Sequence, residues 1–314
     1  MEQIAEYKTN ILIVDSMNMA YKMVFKMPYL SASDGTASFT IYGFMLQLQN
    51  IYNKLQPDNV ILTWDSPNNK RKKILKTYKN RIKTSVPYFK EFLEQIIVLK
   101  QVLPKIGITS IEIDGLESDD IIALVLHKIR TNPHLFTYFK PKPCYSDATK
   151  PHKGFGDLSK GIKTIIFSSD NDLYQLLDKN TCIFNGKQTI TENNFIEKYS
   201  FQPRLFAIYK AIAGCSSDTV KGLDGMGEKR TIEFIKNCEC NIDTIYNKID
   251  KMGKTKEFNE SLRLVTLPLD MEYNYKFNIK PLKIDIGLLS EFLLKYDIHS
   301  ILPSKFLNRH ALEL

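Results

Sequence analysis

The chain has 314 residues, of which 43% are hydrophobic, 25% charged and 11% aromatic. That composition excludes wholesale disorder, collagen and coiled coil, and it predicts a folded chain with a sizeable core. The 43 Lys and Arg against 35 Asp and Glu leave a net charge of +8, which favours a polyanionic partner. No apolar run reaches the ~18 residues of a membrane span, so we expect no membrane association. The five scattered cysteines indicate a reduced, cytoplasmic protein.

Four short apolar or β-branched runs without strict alternation predict buried parallel strands. They cover residues 10–14, 59–64, 108–113 and 163–169. Helical patterns separate these runs, at 39–55, 88–106 and 118–130. Strands that alternate with helices predict an α/β fold, with a mostly parallel central sheet flanked by helices.

Short helical patterns replace the strand signal from about residue 195 onwards. We therefore predict an α/β core over residues 1–200 and an appended helical lobe over 201–314 that packs back on the core. Within the core, residues 66–90 form a basic segment. Residues 131–162 hold four prolines and three glycines, which predicts a surface insertion.

Seven acidic residues lie at or just beyond the carboxyl ends of the predicted strands. They are Asp15, Asp65, Glu117, Asp119, Asp120, Asp170 and Asp172. Ligands of open α/β sheets bind at this edge, and unpaired carboxylates there raise one another's pKa. A single such acid is more often a helix cap, but this group supplies more acids than capping uses. The pattern therefore predicts a site for Mg²⁺, which favours carboxylate oxygens.

The basic segment is rich in cations at the point where it leaves the second strand. Residues 70–83 contain eight Lys or Arg and no acid, with Tyr78 inside the run. Basic residues interleaved with aromatics are typical of segments that bind a phosphate backbone and stack on bases, whereas the common alternative is a solvated helix face. Because the run follows Asp65 directly, we interpret it as a substrate-binding segment for phosphodiester chemistry.

A glycine-punctuated turn precedes one helix of the lobe. Gly225 and Gly227 stand just before Lys229 and Arg230, which open a helical pattern. Glycines before a helix N-terminus let backbone amides approach a phosphate closely. Taken alone, this pattern is weak, and an ordinary turn with an exposed helix start explains it somewhat better.

Together these residues resemble the 5′ nuclease superfamily, the flap endonucleases and 5′→3′ exonucleases of bacterial DNA polymerase I and tailed phages. The motifs that carry the resemblance are ILIVDSMN, WD, YKNR, GLESDDIIA, SSDNDLYQLL and KAIAGCSSDTVKGLDGMGEKR, in that order. The phage and polymerase-associated branch is the more similar one. The resemblance implies a basic helical arch over residues 66–90 and a helix-hairpin-helix-like DNA-binding element in the lobe.

The resemblance also implies roles for individual residues. The seven acids and Asp218 match the family's ligands for two Mg²⁺ ions, for which Mn²⁺ can substitute. Lys79 and Arg81 match the arch residues that serve the scissile phosphate, and Tyr78 matches the aromatic residue that stacks on a base. The other residues that match DNA-binding positions are Lys72, Lys76, Lys83, Gly225, Gly227, Lys229 and Arg230. In the family, the glycine element often also holds a K⁺ ion.

Three departures from the family pattern stand out. Cys215 occupies the position of a family Asp, and a thiol is a poor ligand for Mg²⁺. The YKNR spacing is one residue tighter than usual, so the arginine's role falls to Arg81 or Lys83. The 131–162 insertion has no family counterpart.

The resulting hypothesis is a monomeric enzyme that hydrolyses DNA near a 5′ end or at a single-strand/duplex junction such as a 5′ flap. Its location would be the cytoplasm of a bacterium or of a phage-infected cell. Two alternatives stay open. One is a PIN-like ribonuclease, which also clusters acids at strand ends, and the other is a catalytically weakened junction-binding protein, which the cysteine at position 215 favours.

Overall fold

A computed structural model describes residues 9–79, 87–133 and 161–307 of the chain. Its strands are β1 (Thr9–Asp15), β2 (Asn59–Trp64), β3 (Thr109–Glu112), β4 (Ile162–Phe167), β5 (Thr181–Phe184) and β6 (Thr189–Ile190). They form one six-stranded sheet in the order β3-β2-β1-β4-β5-β6. The first five strands pair in parallel, and β6 runs antiparallel to β5.

Helices occupy both the connections between strands and the region after the sheet. In chain order they are α1 (Ser16–Lys26), α2 (Phe39–Leu55), α3 (Arg71–Ile74), α4 (Phe89–Ile106), α5 (Ser118–Thr131), α6 (Glu192–Tyr199), α7 (Phe206–Ala213), α8 (Glu228–Asn237), α9 (Ile242–Lys251), α10 (Thr255–Val265) and α11 (Ile286–Lys295). Within the described residues, no helix is both long and apolar enough to cross a bilayer.

Two hydrophobic clusters cover the two faces of the sheet. Successive residues of β1 point to opposite faces, so Ile11 and Ile13 join one cluster while Leu12 and Val14 join the other. Residues of α5 and α7 complete the first cluster, and residues of α1, α2, α4 and α11 complete the second. The central strands are therefore buried on both sides, which explains their continuous apolar sequence.

The predicted fold class is confirmed, because the sheet is mostly parallel and is flanked by helices, with a helical lobe after it. All four predicted strands are present, although β3 is shorter than its predicted run. The sequence analysis missed α1, β5 and β6. The helix α1 begins directly after β1, where the side chain of Asp15 accepts a hydrogen bond from the backbone N–H of Asn18. Its buried apolar residues Met19, Ala20, Met23 and Val24 recur at helical spacing, so this helix carries a sequence signal that the prediction overlooked.

The chain returns to the core after the lobe. The backbone N–H of Asp285 donates to the carbonyl oxygen of Ile106, 2.9 Å away, just before α11 packs into the second cluster. The first cluster includes both Tyr199 and Phe206, so its packing is continuous across the predicted boundary at residue 200. That boundary stays a prediction, and most of the 131–162 insertion lies outside the described residues.

Candidate active site

The sheet brings the predicted acids to one edge. Because β3, β2, β1 and β4 are neighbours and run in parallel, their carboxyl ends lie side by side. Asp15 is the last residue of β1, Asp65 follows β2 and Asp170 lies three residues beyond β4. Glu117 and Asp119 stand at the start of α5, just beyond β3. We refer to these five residues as the first acidic group.

The members of the first acidic group repel one another. Burial raises the pKa of Asp15 to about 7, and the carboxylates of Asp65 and Asp170 add to the shift. Burial also raises the pKa of Asp65, with a further contribution from Glu117. The pKa of Asp119 lies well above its ordinary value, first because of burial and then because of Asp170. A cation placed among these groups would relieve this repulsion.

Hydrogen bonds fix the orientation of two of these acids. Asp15 Oδ1 accepts from the backbone N–H of Asn18 at 3.2 Å, and Asp15 Oδ2 accepts from the hydroxyl of Ser168 at 2.8 Å. Asp65 Oδ1 accepts from the backbone N–H of Ser118 at 2.8 Å. These contacts hold the carboxylates at the edge before any ligand binds, as metal-ligating side chains require.

Lys79 lies at the same edge, as the resemblance implied. Its Nζ donates to Glu117 Oε1 at 2.8 Å and is 3.8 Å from Asp218 Oδ1. Burial lowers the pKa of this ammonium group, but Glu117 and other acidic neighbours raise it more, so the group keeps its positive charge. One third of the Lys79 side chain is exposed.

The structure contradicts the base-stacking role predicted for Tyr78. Only 3% of this residue is exposed, and its ring is part of the first hydrophobic cluster. Its hydroxyl donates to Glu117 Oε2 at 2.9 Å. A ring packed inside the protein is not available to a nucleobase, so Tyr78 orients Glu117 instead.

The structure also contradicts the metal-ligand role predicted for Asp120. Its Oδ1 accepts from Arg71 Nη2 and the backbone N–H of Leu269, both at 2.8 Å. Its Oδ2 accepts from Arg71 Nη1 and from the backbone N–H of Glu117. A carboxylate offers about four lone-pair sites, and these four bonds use them. Asp120 is fully buried and acts as a structural anion.

A second, mixed group of potential ligands lies beside the first. One ligand atom each from Asp172, Cys215 and Asp218 lies within 4.8 Å of the others, and we call this set the thiol-containing group. The thiol of Cys215 donates to Asp218 Oδ2 at 3.0 Å. Lys210, on α7, forms an ion pair with Asp172 and also interacts with the Cys215 side chain.

The two groups differ in how well they suit a hard divalent cation. The first acidic group presents carboxylate oxygens whose mutual repulsion a cation would relieve, so it fits Mg²⁺ or Mn²⁺. The thiol-containing group presents a protonated thiol and a carboxylate already paired with the Lys210 ammonium. That second donor set matches a hard cation less well than the first, although its three ligand atoms are close enough to hold an ion, and the two-ion expectation stays a prediction.

The glycine turn precedes α8, as the sequence predicted. Gly225 has a φ of +77°, a conformation that favours glycine. Lys229 and Arg230 are exposed on the first turn of α8, and Arg230 Nη1 donates to the carbonyl oxygen of Gly225 at 3.0 Å. Gly227 is the N-cap of α8 and has ordinary extended backbone angles. Their roles in DNA binding, and K⁺ at the turn, stay predictions.

Of the four other arch residues predicted to bind DNA or serve the phosphate, two lie within the described residues. Lys72 and Lys76 are exposed, which is compatible with their predicted contacts to DNA. Arg81 and Lys83 lie outside the described residues, so the choice between them stays open.

Sequence analysis overlooked two cations that organise this site. Arg71 belongs to the basic run but is only 1% exposed, because it pairs with Asp120. Lys210 is the only charged residue within Phe206–Ala213, a helix that is otherwise almost wholly apolar, and an isolated charge in such a helix is a signal for a buried ion pair. No comparable signal distinguishes Arg71 from its exposed neighbours.

Comparisons with known proteins agree with this geometry. Residues 10–138 match the family model of the 5′-3′ exonuclease N-terminal resolvase-like domain. A 5′-3′ exonuclease of Aquifex aeolicus is 27% identical over 302 residues, which cover 93% of each chain. Over most of its length, this chain is therefore similar to 5′-3′ exonucleases. The chain is also similar to the thermostable DNA polymerase I of Thermus thermophilus, at 24% identity over 90% of this chain and 30% of the polymerase.

Two solved structures share the fold of this chain. The T5 D15 protein co-crystallised with metal ions is 17% identical and superposes with a TM-score of 0.61, over 96% of this chain and 99% of that one. The bacteriophage T5 D15 flap endonuclease, in a complex with DNA and metal ions, gives a TM-score of 0.62 at 17% identity, over 95% of this chain and 97% of that one.

Proposed function

We propose that this chain is a structure-specific 5′ nuclease, which hydrolyses DNA phosphodiester bonds at 5′ flaps and 5′ ends in replication and repair. The observation that carries the proposal is the meeting of the first acidic group with the Lys79 ammonium at one sheet edge. The names of the relatives support the same activity, since they are 5′-3′ exonucleases and a flap endonuclease.

The residues of the site would divide the chemical work. Asp15, Asp65, Asp119 and Asp170 would hold a Mg²⁺ or Mn²⁺ ion, which supplies activation of the attacking water and neutralisation of charge. Glu117 holds the Lys79 ammonium in place through a 2.8 Å contact. From there Lys79 would stabilise the negative charge that develops on the scissile phosphate.

The basic surfaces would guide the substrate. Lys72 and Lys76 on the arch, together with Arg81 or Lys83, would contact the 5′ single strand. Lys229, Arg230 and the N-terminus of α8 would hold the phosphates of the duplex. We expect a monomer that acts on DNA in the cytoplasm of a bacterium or of a phage-infected cell.

The direct test uses a 5′-flap DNA labelled at both ends, with Mg²⁺ or with chelator. The Asp170→Asn variant is the control for contaminating nuclease, because it removes one charge and keeps the shape of the side chain. We expect cleavage near the junction that requires both the metal and Asp170. Product lengths then rank flap cutting against exonucleolytic cutting.

Two results would contradict the proposal. Faster cleavage of the matched RNA than of the DNA would favour a PIN-like ribonuclease. Tight flap binding without cleavage, in Mg²⁺ and in Mn²⁺, would identify a junction-binding protein.

A further inference from the structure

We propose that the Lys210 ammonium takes the place of a second divalent cation in this chain, so that each active site holds one hard cation. The inference rests on the proposed function, because it concerns the metal content of the same site. It starts from the contacts within the thiol-containing group, whose donor set matches Mg²⁺ less well than that of the first acidic group.

The ligands of the thiol-containing group are already engaged with one another. Asp172 is paired with Lys210, and Asp218 Oδ2 accepts a hydrogen bond from the Cys215 thiol at 3.0 Å. A thiol that donates a hydrogen bond carries its proton, and a protonated thiol is not a metal ligand. Hard cations prefer carboxylate, carbonyl and water oxygens to sulfur in any case.

Lys210 is held so that its charge stays inside this group. The residue is 9% exposed and lies on α7, which belongs to the first hydrophobic cluster through neighbours such as Tyr209 and Ala211. A divalent cation bound to Asp172 would separate this ion pair and leave the ammonium buried without its partner. Such separation of a buried pair is costly, so the resident ammonium competes effectively with an incoming ion.

The two groups also differ in the balance of charge. In the first acidic group, five carboxyl groups face the ammonium of Lys79, and the Arg71 guanidinium, which is already paired with Asp120, also contacts Glu117 at 3.3 Å. In the thiol-containing group, the carboxylates of Asp172 and Asp218 are the two acids, Lys210 is paired with Asp172, and the Lys79 ammonium is 3.8 Å from Asp218. The first group therefore retains the charge that attracts a divalent cation, whereas most of that charge is already neutralised in the second.

Counting bound Mn²⁺ by the electron paramagnetic resonance signal of the free ion tests the inference without measuring activity. The full chain is titrated alone and with an excess of 5′-flap DNA that carries a non-hydrolysable linkage at the cleavage position, and the Mn²⁺ bound by the same DNA without protein is subtracted. We expect the wild-type protein to bind one Mn²⁺ in both titrations. Binding of two Mn²⁺ ions with comparable affinity would overturn the inference.

Two variants distinguish the effect of the Lys210 ammonium on metal binding from that of the Cys215 thiol. Cys215→Asp supplies a third carboxylate but keeps Lys210, so we expect it still to bind one Mn²⁺. Cys215→Asp combined with Lys210→Met removes the competing charge, and we expect a second Mn²⁺ with an affinity at least about tenfold higher than in Cys215→Asp alone. A second ion in Cys215→Asp alone, or its absence from the folded double variant, would overturn the inference.

Two controls complete the design. Lys221→Met removes an exposed lysine from the same lobe and should leave the Mn²⁺ count unchanged. Asp119→Asn should weaken the single site, and if it does not, the proposed metal centre itself is wrong. That outcome differs from a wild-type count of two, which would contradict only the role of Lys210. Circular dichroism checks that each variant folds. If the double variant does not fold, the number of Mn²⁺ ions bound by Cys215→Asp alone decides between the inference and its rejection.

Discussion

Lys79 is the residue whose position most directly indicates a role in catalysis. Its ammonium is held by Glu117 beside the first acidic group, and one third of its side chain is exposed. We expect Lys79→Met to lower the single-turnover cleavage rate by about 10²–10³-fold, while the Kd for flap DNA changes much less. Quench-flow cleavage and fluorescence anisotropy measure the two quantities separately.

The control for Lys79 is Lys76→Met, which removes an exposed charge of the same segment. We expect Lys76→Met to weaken DNA binding with little change in the rate of bound substrate. Equal losses of rate and affinity in Lys79→Met would make Lys79 a binding residue.

Arg71 is the residue on which the local structure depends most. All five of its N–H donors are used, by Glu117, by Asp120 twice and by the carbonyl oxygens of Leu264 and Thr266. We expect Arg71→Met to lower the free energy of unfolding by about 3–5 kcal/mol, because it leaves Asp120 buried without a counter-charge. Urea unfolding measures this loss.

The neighbouring Lys72→Met is the matched control, since Lys72 is exposed on the same short helix. Its free energy of unfolding should stay within about 0.5 kcal/mol of the wild-type value. A similarly small effect of Arg71→Met would refute the structural role of the pair.

At the residue scale, the sequence identified which acidic residues lie close together, but not which of their carboxylates remain available to a metal ion. The motif GLESDD placed Glu117, Asp119 and Asp120 together, yet the register of α5 turns Asp120 inward towards Arg71. Likewise, nothing in the sequence around Tyr78 indicates that its ring is buried. Such distinctions depend on contacts with residues almost two hundred positions away, as between Arg71 and Leu264, which no local pattern records.

At the scale of elements, a close backbone approach supports the turn before α8. Gly222 has a φ of +70°, and a Cβ there would lie 2.4 Å from the backbone nitrogen of Gly214. We expect Gly222→Ala to lower the free energy of unfolding by at least about 2 kcal/mol, because positive φ costs ~1–2 kcal/mol and overpacking ~1–3 kcal/mol. Thermal and urea unfolding measure the change.

Gly227→Ala provides the comparison within the same turn. Gly227 has a φ of −70°, and no atom lies within 4 Å of a Cβ built there. We expect a change of less than about 0.5 kcal/mol. A larger loss in Gly227→Ala than in Gly222→Ala would contradict this assignment of the two glycines.

The acidic edge of the sheet makes the metal-free protein sensitive to pH. The pKa of Asp15 is about 7 in the folded chain against an ordinary 3.8, so between these values the folded state binds more protons than the unfolded one. Stability in EDTA should therefore fall as pH rises from 5 to 7, by about 1 kcal/mol per pH unit from this group. Urea unfolding at pH 5, 6 and 7 measures the slope.

Asp15→Asn is the control for that slope, because an amide does not titrate. The difference in stability between the variant and the wild type should grow with pH in EDTA and shrink when Mn²⁺ is added. A difference that does not vary with pH would show that Asp15 has an ordinary pKa.

Long, continuous elements were the ones that sequence could predict. The buried strands β1, β2 and β4 are apolar on both faces, and α2 and α4 have long periodic patterns. The two-residue β6 is too short to give a pattern, and β5 offers an apolar run of only three residues, Cys182–Phe184. Their pairing with β4 and with each other depends on the sheet already present.

At the scale of the whole molecule, the net charge of +8 should appear in the salt dependence of DNA binding. We expect the combined Lys229→Met and Arg230→Met variant to reduce the slope of log Kd against log salt by roughly two, one for each lost phosphate contact. Lys295→Met, an exposed lysine on α11, should leave the slope unchanged. An unchanged slope in the double variant would mean that Lys229 and Arg230 do not contact the DNA phosphates.

The bonds of Arg71 also bear on how the chain can be divided. One guanidinium joins the base of the arch, the start of α5 and the carbonyl oxygens of Leu264 and Thr266, while Asp120 also accepts from the backbone of Leu269. A fragment that ended at residue 200 would lose these partners, although it would keep every member of the first acidic group. The nuclease core is therefore not an autonomous module that could be excised or transplanted. The backbone groups that complete the hydrogen bonds of Arg71 and Asp120 belong to Leu264, Thr266 and Leu269, which lie within the lobe.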